Sequence, residues 1–264
     1  MCKHNPAFAV WMYHALFISG GGTTAKAIFK ATQPGGMLHG KVRIPCVIAS
    51  ANDIGGIKLL AEAGLPEGQI EVVNPKDYPT EEALGLAIND VLWRYGALSF
   101  GLHGWMPRMP KNVIARRPGI NQHPAALDPS LDDKRHWDFG GKGMYGRAAM
   151  AAQLYFAKLV APYRKERLLP AFCAEATAQL VHEEYDRGLL VYTEPLELDP
   201  NWTVEEMKPA LLQLEHEVQI KALRQVHHYR NFGGVVRQRR LILPGEETFF
   251  AQAKALAIAD YPHG

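Results

Sequence analysis

Residues Ala9 to Ser19 form a nearly unbroken apolar run that stops at Gly20-Gly21-Gly22, and Ala25 to Thr32 then has helix-forming composition. A run that stays apolar without alternating reads as a strand covered on both faces, as in a parallel sheet. The pattern repeats along the chain. Ile44 to Ser50 reads as a strand, Ile57 to Ala63 as a helix closed by Gly64, Ile70 to Val73 as a strand, Thr80 to Tyr95 as a helix and Ala97 to Leu102 as a strand. Thr80 is a candidate cap, with Glu81 and Glu82 in the first turn where the helix dipole favours acidic groups. A further apolar strand ends in the polar, proline-bounded stretch Gly119 to Pro129. Strands alternating with helices predict an α/β class with a Rossmann-like, mostly parallel sheet flanked by helices. Ligands of such sheets sit beyond the carboxyl ends of the strands. By that rule Gly20 to Thr24, the loop His103 to Pro107 and Asn121 to His123 gather on one edge.

The second half is less regular. Leu127 to Gly146 has no periodic pattern and contains Asp132-Asp133-Lys134-Arg135 and the glycine-rich Phe139 to Gly146. Structureless stretches of this length are usually functional lids or disordered excursions. Arg147 to Val160 reads as a helix, followed by the basic Arg164-Lys165-Glu166-Arg167, expected to be a solvated turn. Glu175 to Glu183 alternates as a strand and leads through Glu183-Glu184-Tyr185-Asp186-Arg187-Gly188 into a strand from Leu189, which makes the C-terminal part of the sheet mixed. Thr203 to His228 is helical, with Pro209 expected to kink or restart it. Val235 to Leu243, with Arg237, Arg239 and Arg240, reads as a charge-protected edge strand. Glu246 to Ala259 is a closing helix. With no repeat, low-complexity tract or linker, residues 1–264 are expected to form a single domain with halves at 1–118 and 119–264.

The chain has 264 residues, 47% of them hydrophobic, enough to bury a full core. A formal net charge of +2 gives no bulk attraction for nucleic acid. No stretch reaches bilayer length, and the apolar segment Phe8 to Ser19 is too short and too interrupted for a signal peptide. Cys2, Cys46 and Cys173 stand far apart, which suits a reducing cytoplasm and supplies no zinc ligand set. None of the eleven histidines falls in a metal-binding spacing, so no metal is expected. No serine sits in a Gly-x-Ser-x-Gly elbow and no cysteine stands beside a plausible base, which leaves acyl-enzyme chemistry with little support.

What remains is a set of polar groups at strand ends. Asn121 and His123 are two residues apart on a strand and therefore point the same way. Asp186, in the acidic loop, is the best carboxylate available to orient His123. Gly20, Gly21, Gly22, Thr23 and Thr24 between strand and helix suit a phosphate or carboxylate, although three glycines also simply make a tight turn. An amide, an imidazole and a carboxylate can drive direct acyl transfer, with Asn121 donating to a developing oxyanion and His123 moving a proton.

The order Ser19-Gly20-Gly21-Gly22-Thr23-Thr24, Ser50-Ala51-Asn52-Asp53 with Gly55, Gly104-Trp105-Met106-Pro107, Asn121-Gln122-His123-Pro124, Gly140 to Gly146 and Glu183 to Gly188 resembles the formyltransferase family from about Phe17 to Glu217. The resemblance implies the formyltransferase fold and 10-formyltetrahydrofolate as co-substrate. It makes Asn121, His123 and Asp186 the catalytic set. It assigns the acceptor's phosphate to Gly20 to Thr24, the acceptor amine to the neighbourhood of Glu215, and the folate pocket to Met106, Pro107, Met109, Glu183 and Glu184. Glycinamide ribonucleotide of purine synthesis is the first acceptor it suggests. Thr23-Thr24 and Arg147-Ala148-Ala149 depart from the family's pattern, so an amino sugar nucleotide, a hydroxyornithine-like amino acid and a catalytically inactive folate binder remain alternatives. Expected partners are small molecules, with no nucleic acid and no membrane, for a monomer or homodimer.

Overall fold

The computed structural model describes residues 11–129, 137–199, 201–234, 237 and 240–264, which divide into two compact units. Cys2, Asp132 to Arg135 and part of the expected edge strand at 235–243 lie outside the described residues. The first unit comprises 1–121 and 220–232, the second 122–219 and 233–264.

In the first unit β1 (Met12–Ile18) is the central strand. It pairs in parallel with β2 (Val42–Arg43) and β3 (Val47–Ala49) on one side and with β5 (Ser99–Leu102) on the other, Leu16 standing between Val47 and Gly101. β4 (Ile70–Val72) extends the β3 side, and β6 (Gly119–His123) runs parallel to β5 with Asn121 opposite Leu102. Ala15 to Ile18 and Val47 to Ala49 are fully buried, which is why the apolar run does not alternate. The expected Ile44 to Ser50 strand is shorter, reduced to β3 at 47–49, and β2 precedes it at 42–43. The helices are α1 (Thr23–Thr32), α2 (Gly55–Glu62), α3 (Glu81–Arg94) and the short α4 (Lys111–Ile114), which has no hydrophobic period long enough to announce it. Thr80 caps α3 as expected, accepting the Ala83 N–H at 3.1 Å.

In the second unit the end of β6 leads into β7 (Ala174–Leu180), which pairs antiparallel with β8 (Leu190–Leu196). Parallel strands therefore come first and antiparallel ones follow, the mixed sheet the sequence predicts. α5 (Gly146–Glu166) buries Ala148, Ala149, Ala151 and Ala152 on successive turns. α6 (Val204–Tyr229) continues from this unit into the first, and it runs unbroken through Pro209. As the sixth residue of the helix Pro209 gives up one backbone bond, the one to the Glu205 carbonyl, without ending the helix, so the expected restart does not occur. The start is held by a capping box, with Thr203 Oγ1 accepting the Glu206 N–H and Glu206 Oε2 accepting the Thr203 N–H at 2.7 Å. The C-terminal helix is α7 (Glu247–Asp260).

Two expectations need correction. The described residues of the supposed last strand, 237 and 240–243, belong to no ladder; Arg237 instead donates to the Leu127 carbonyl at 2.7 Å and forks onto Glu175, whose Oε1 it meets at 2.9 Å. Nor is Arg164 in a solvated turn. It lies in α5 and donates to both carboxylate oxygens of Glu246 at 2.7 and 2.8 Å, with Glu246 fully buried at the head of α7. The Arg164 guanidinium also lies near the rings of Phe156 and Phe172, 5.9 and 5.7 Å from their centroids. A run of charges looks solvated in sequence; its apolar surroundings and its partner 82 positions away are invisible there.

A buried ion pair that loses one partner leaves an uncompensated charge. Arg164→Met should therefore lower stability by about 3–5 kcal/mol, read as a fall in the urea midpoint with unchanged slope. A second prediction concerns the first unit. His14 is fully buried, its Nδ1 2.9 Å from Ser99 Oγ, and burial first, then the charge of a protonated His103, lowers its pKa from 6.5 to about 3. The unfolded chain then binds a proton that the folded one does not, so stability declines as pH falls from about 6.5 towards 3. His14→Leu should flatten that acid limb, measured as the urea midpoint at pH 7 and pH 4.5, chosen within that window.

Candidate functional site

The first unit brings three expected features to the carboxyl edge of its parallel ladder. Gly20 and Gly21 follow β1, the loop His103 to Pro107 follows β5, and Asn121 sits beside the end of β5. Ser19 Oγ accepts the Met106 N–H at 3.2 Å, which ties the first two loops together. The glycine loop leans on the start of α2. Gly56 N–H donates to the Gly20 carbonyl at 2.9 Å, and a Cβ on Gly22 would stand 2.8 Å from Gly56 Cα. Gly22 also has φ 67°, the left-handed region that glycine enters without penalty. The loop's shape therefore needs glycine at 22 and at 56. The sequence had pointed to Gly55 beside Asn52-Asp53; Gly56 is the residue in contact.

α1 opens at Gly22 without a side-chain cap, so neither Thr23 nor Thr24 caps it. Thr24 is buried and Thr23 is exposed, leaving Gly20, Gly21 and Thr23 as the accessible part of the loop. Met106 is 58% exposed and Pro107 half-buried, whereas Met109 is buried and has no surface to offer a ligand.

The second unit holds His123 and Asp186. His123 ends β6, two residues after Asn121, so the strand's alternation sends both side chains to one side. Its imidazole is buried between two oxygens. Nε2 lies 2.9 Å from the Phe139 carbonyl and Nδ1 lies 3.4 Å from Asp186 Oδ1. A carbonyl only accepts, so Nε2–H is the donor there and Nδ1 is the nitrogen turned to the carboxylate. The Nδ1 contact is long for a hydrogen bond. Asp186 is fixed from two further directions, accepting Gln179 Nε2–H on Oδ1 at 2.8 Å and Gly141 N–H on Oδ2 at 2.9 Å. It has φ 57°, a conformation that aspartate tolerates better than most residues. Gly140 packs against it, and a Cβ there would fall 2.7 Å from Asp186 Cβ. Glu183 and Glu184, on the same loop, are exposed, and Glu184 N–H donates to His182 Nδ1 at 3.1 Å.

Glu215 on α6 is only 3% exposed, and its Oε1 accepts Gln122 Nε2–H at 2.6 Å. Burial pushes its pKa from 4.5 up to about 7, with the Gln122 hydrogen bond pulling the other way. Gln122 alternates with Asn121 and His123 and so leaves the strand on the opposite side. Nothing in the sequence marks Gln122, because an amide between two candidate catalytic residues carries no signal of its own partner. The two described cysteines, Cys46 and Cys173, are free, and burial raises the Cys46 thiol to about 12. Among the described residues no helix is long and apolar enough to cross a membrane.

No family model matches the chain. Among curated proteins it is similar to the chloroplastic phosphoribosylglycinamide formyltransferase of Arabidopsis thaliana, 26% identical over 211 residues, which cover 79% of this chain and 63% of that protein. It is also 26% identical over 215 residues to the chloroplastic protein of that name from Vigna unguiculata, covering 79% and 59%. The chain thus spans about three fifths of the length of the curated relatives it matches. Among solved structures it resembles phosphoribosylglycinamide formyltransferase from Campylobacter jejuni, with a TM-score of 0.62, 20% identity and coverage of 83% of this chain and 98% of that one. Glycinamide ribonucleotide transformylase 1 from Symbiobacterium toebii gives a TM-score of 0.61 at 23% identity, covering 87% and 92%. In sequence and in fold the chain resembles the formyltransferases, the family to which its motifs pointed.

The buried Glu215 has a consequence for stability. A carboxyl whose folded pKa is raised favours folding least where the unfolded chain is ionised, so stability falls as pH rises from about 4.5 to about 7 and stays reduced above that. Glu215→Gln should be more stable than the parent at pH 8 by on the order of 3 kcal/mol, and by under about 1 kcal/mol at pH 5. Urea unfolding at the two pH values checks this; equal differences at both would show that Glu215 ionises normally.

Proposed function

We propose that the chain is a 10-formyltetrahydrofolate-dependent N-formyltransferase that passes the formyl group directly to a phosphorylated amine, glycinamide ribonucleotide before others. The observation that carries this reading is the buried His123 with its Asp186 partner, two residues beyond Asn121 on the same strand. The amine nitrogen attacks the formyl carbon and gives a tetrahedral intermediate. The carbon's bond to the folate nitrogen then breaks, and tetrahydrofolate leaves with the proton that the amine gives up. Asn121 donates to the oxyanion, His123, its Nε2–H held by the Phe139 carbonyl, adds a donor or moves the proton through Nδ1, and Asp186 steadies the imidazole as it becomes charged. The role of the acceptor's phosphate site falls to Gly20, Gly21, Gly22 and Thr23, supported by the uncapped start of α1 and the backbone's freedom from side chains there. Met106, Pro107, Glu183 and Glu184 take the folate, by resemblance to the family. Met109 supports that pocket from within and does not line it. Glu215, held by Gln122, takes the neighbourhood of the acceptor amine, by resemblance to the family. The setting we propose is cytoplasmic, which the free thiols suit, for a monomer or homodimer.

A second reading keeps the chemistry and changes the acceptor to an amino sugar nucleotide or a hydroxyornithine-like amino acid. The inward-turned Thr24, which leaves the glycine loop one side-chain hydroxyl for a phosphate, favours it. Replacing Gly20 and Gly21 by alanine separates the two. A large rise in the KM for glycinamide ribonucleotide supports the first reading, and an unchanged KM rejects it.

Incubation with 10-formyltetrahydrofolate and glycinamide ribonucleotide should release tetrahydrofolate, followed by absorbance. Asp186→Asn keeps the hydrogen-bonding size and tolerates the left-handed backbone, so it should fold normally while kcat falls by roughly 100-fold or more. Parent-like turnover in that variant would remove Asp186 from the mechanism.

A further inference from the structure

The catalytic reading places His123 at the centre of the reaction but leaves open what holds its Nε2 side. That partner is the carbonyl of Phe139, in a stretch that is neither helix nor strand. An irregular backbone keeps a carbonyl aimed only where its neighbours are fixed. Here the two flanking carbonyls are fixed by one side chain. Lys254 Nζ donates to the Asp138 carbonyl at 3.0 Å and to the Gly140 carbonyl at 2.9 Å, so that the carbonyl between them is the one turned to His123.

Lys254 is itself well placed to act as a clamp. It lies on α7, beyond the part of the chain that carries the family motifs, and that helix is anchored at its head by the buried Arg164–Glu246 pair. One turn earlier Phe250 packs its ring against Phe139 at 5.4 Å between centroids, and Lys254 Nζ lies 5.3 Å from the Phe250 ring. The same short loop carries Gly141, whose N–H holds Asp186. Both sides of the imidazole therefore trace back to residues 138–141, and the position of those residues traces back to α7.

We propose that Lys254 is a positioning residue for His123: through the Asp138 and Gly140 carbonyls it fixes the Phe139 carbonyl against Nε2, and with it the angle of the imidazole. It touches no reacting atom. The proposal rests on the reading of His123 as catalytic, and misplacement of a catalytic group by about 1 Å can cost about 100-fold in rate.

Lys254→Met keeps the length and apolar stem and removes the donors. Its kcat should fall roughly 10- to 100-fold while KM for both substrates stays within about twofold. Amide hydrogen exchange in a peptide spanning Phe139 to Met144 should quicken, with the peptides of α5 unchanged. Lys254→Arg, which can still donate to both carbonyls, should keep kcat within about threefold of the parent and retain the protection. A methionine variant with parent kcat, or one whose loss lies equally in both KM values, overturns the proposal. If the methionine variant does not fold, the arginine variant decides: protection retained with kcat kept supports the clamp, and protection retained with kcat lost overturns it. His123→Ala separates the premise from the inference. If that variant turns over at the parent rate, the catalytic reading itself fails, while the exchange measurement still reports whether Lys254 holds the loop.

Discussion

A backbone that is buried without belonging to a helix or strand must find a partner for each of its polar groups, because an unpaired one costs about as much as a lost hydrogen bond. Residues 138–141 meet that demand in the second unit. The Phe139 N–H goes to the Ala126 carbonyl, the Gly140 N–H to the Asp138 carboxylate, and the Gly141 N–H to Asp186. Three successive carbonyls go to Lys254, His123 and Lys254 again. The candidate site is therefore also the solution to a burial problem. Phe139 goes inward against Phe156, Phe172 and Phe250. Its backbone, drawn inward with it, needs His123, Asp186 and Lys254 as partners.

The parts of this arrangement that follow from local pattern were legible in the sequence. Buried parallel strands announce themselves as unbroken apolar runs, and β1, β3 and β5 fall where those runs are. Asn121, His123 and the glycine loop stand at strand ends, where the topology alone gives them meaning. The pairing of His123 with Asp186 was also within reach, since the acidic loop between two strands offered a carboxylate at the same edge of the sheet. The part that was not legible is carried by single long-range contacts. Lys254, Arg164 and Gln122 belong to residue types that are solvated far more often than buried, and nothing near them in sequence marks the exception. Each becomes informative only when its partner, between 82 and 116 positions away, is known. Arg237, expected on a charge-protected edge strand, is a further case: the partners it is bound to, Glu175 and the Leu127 carbonyl, are likewise distant in sequence.

Two buried ionisable groups, one in each unit, make stability depend on pH from opposite sides. In the first, His14 is held neutral by burial and is vulnerable to acid. In the second, Glu215 is held towards its protonated form by the same physics, and it is rising pH that tells against it. A carboxyl whose pKa is pushed up to about 7 beside an amide donor is a group able to gain or lose a proton near neutral pH.

The close approach of Gly22 to Gly56 bears on how this chain could diverge. Because the turn is shaped by two backbones in contact, neither position can acquire a side chain without prising the glycine loop from α2. The neighbouring positions carry no such burden: a Cβ at Gly20 or Gly21 meets nothing within 4 Å, and Thr23 faces outward. The scaffold is thus rigid at two points and open between and beyond them. New ligand preferences can arise by substitution at the open positions, one at a time, with the shape of the loop inherited intact.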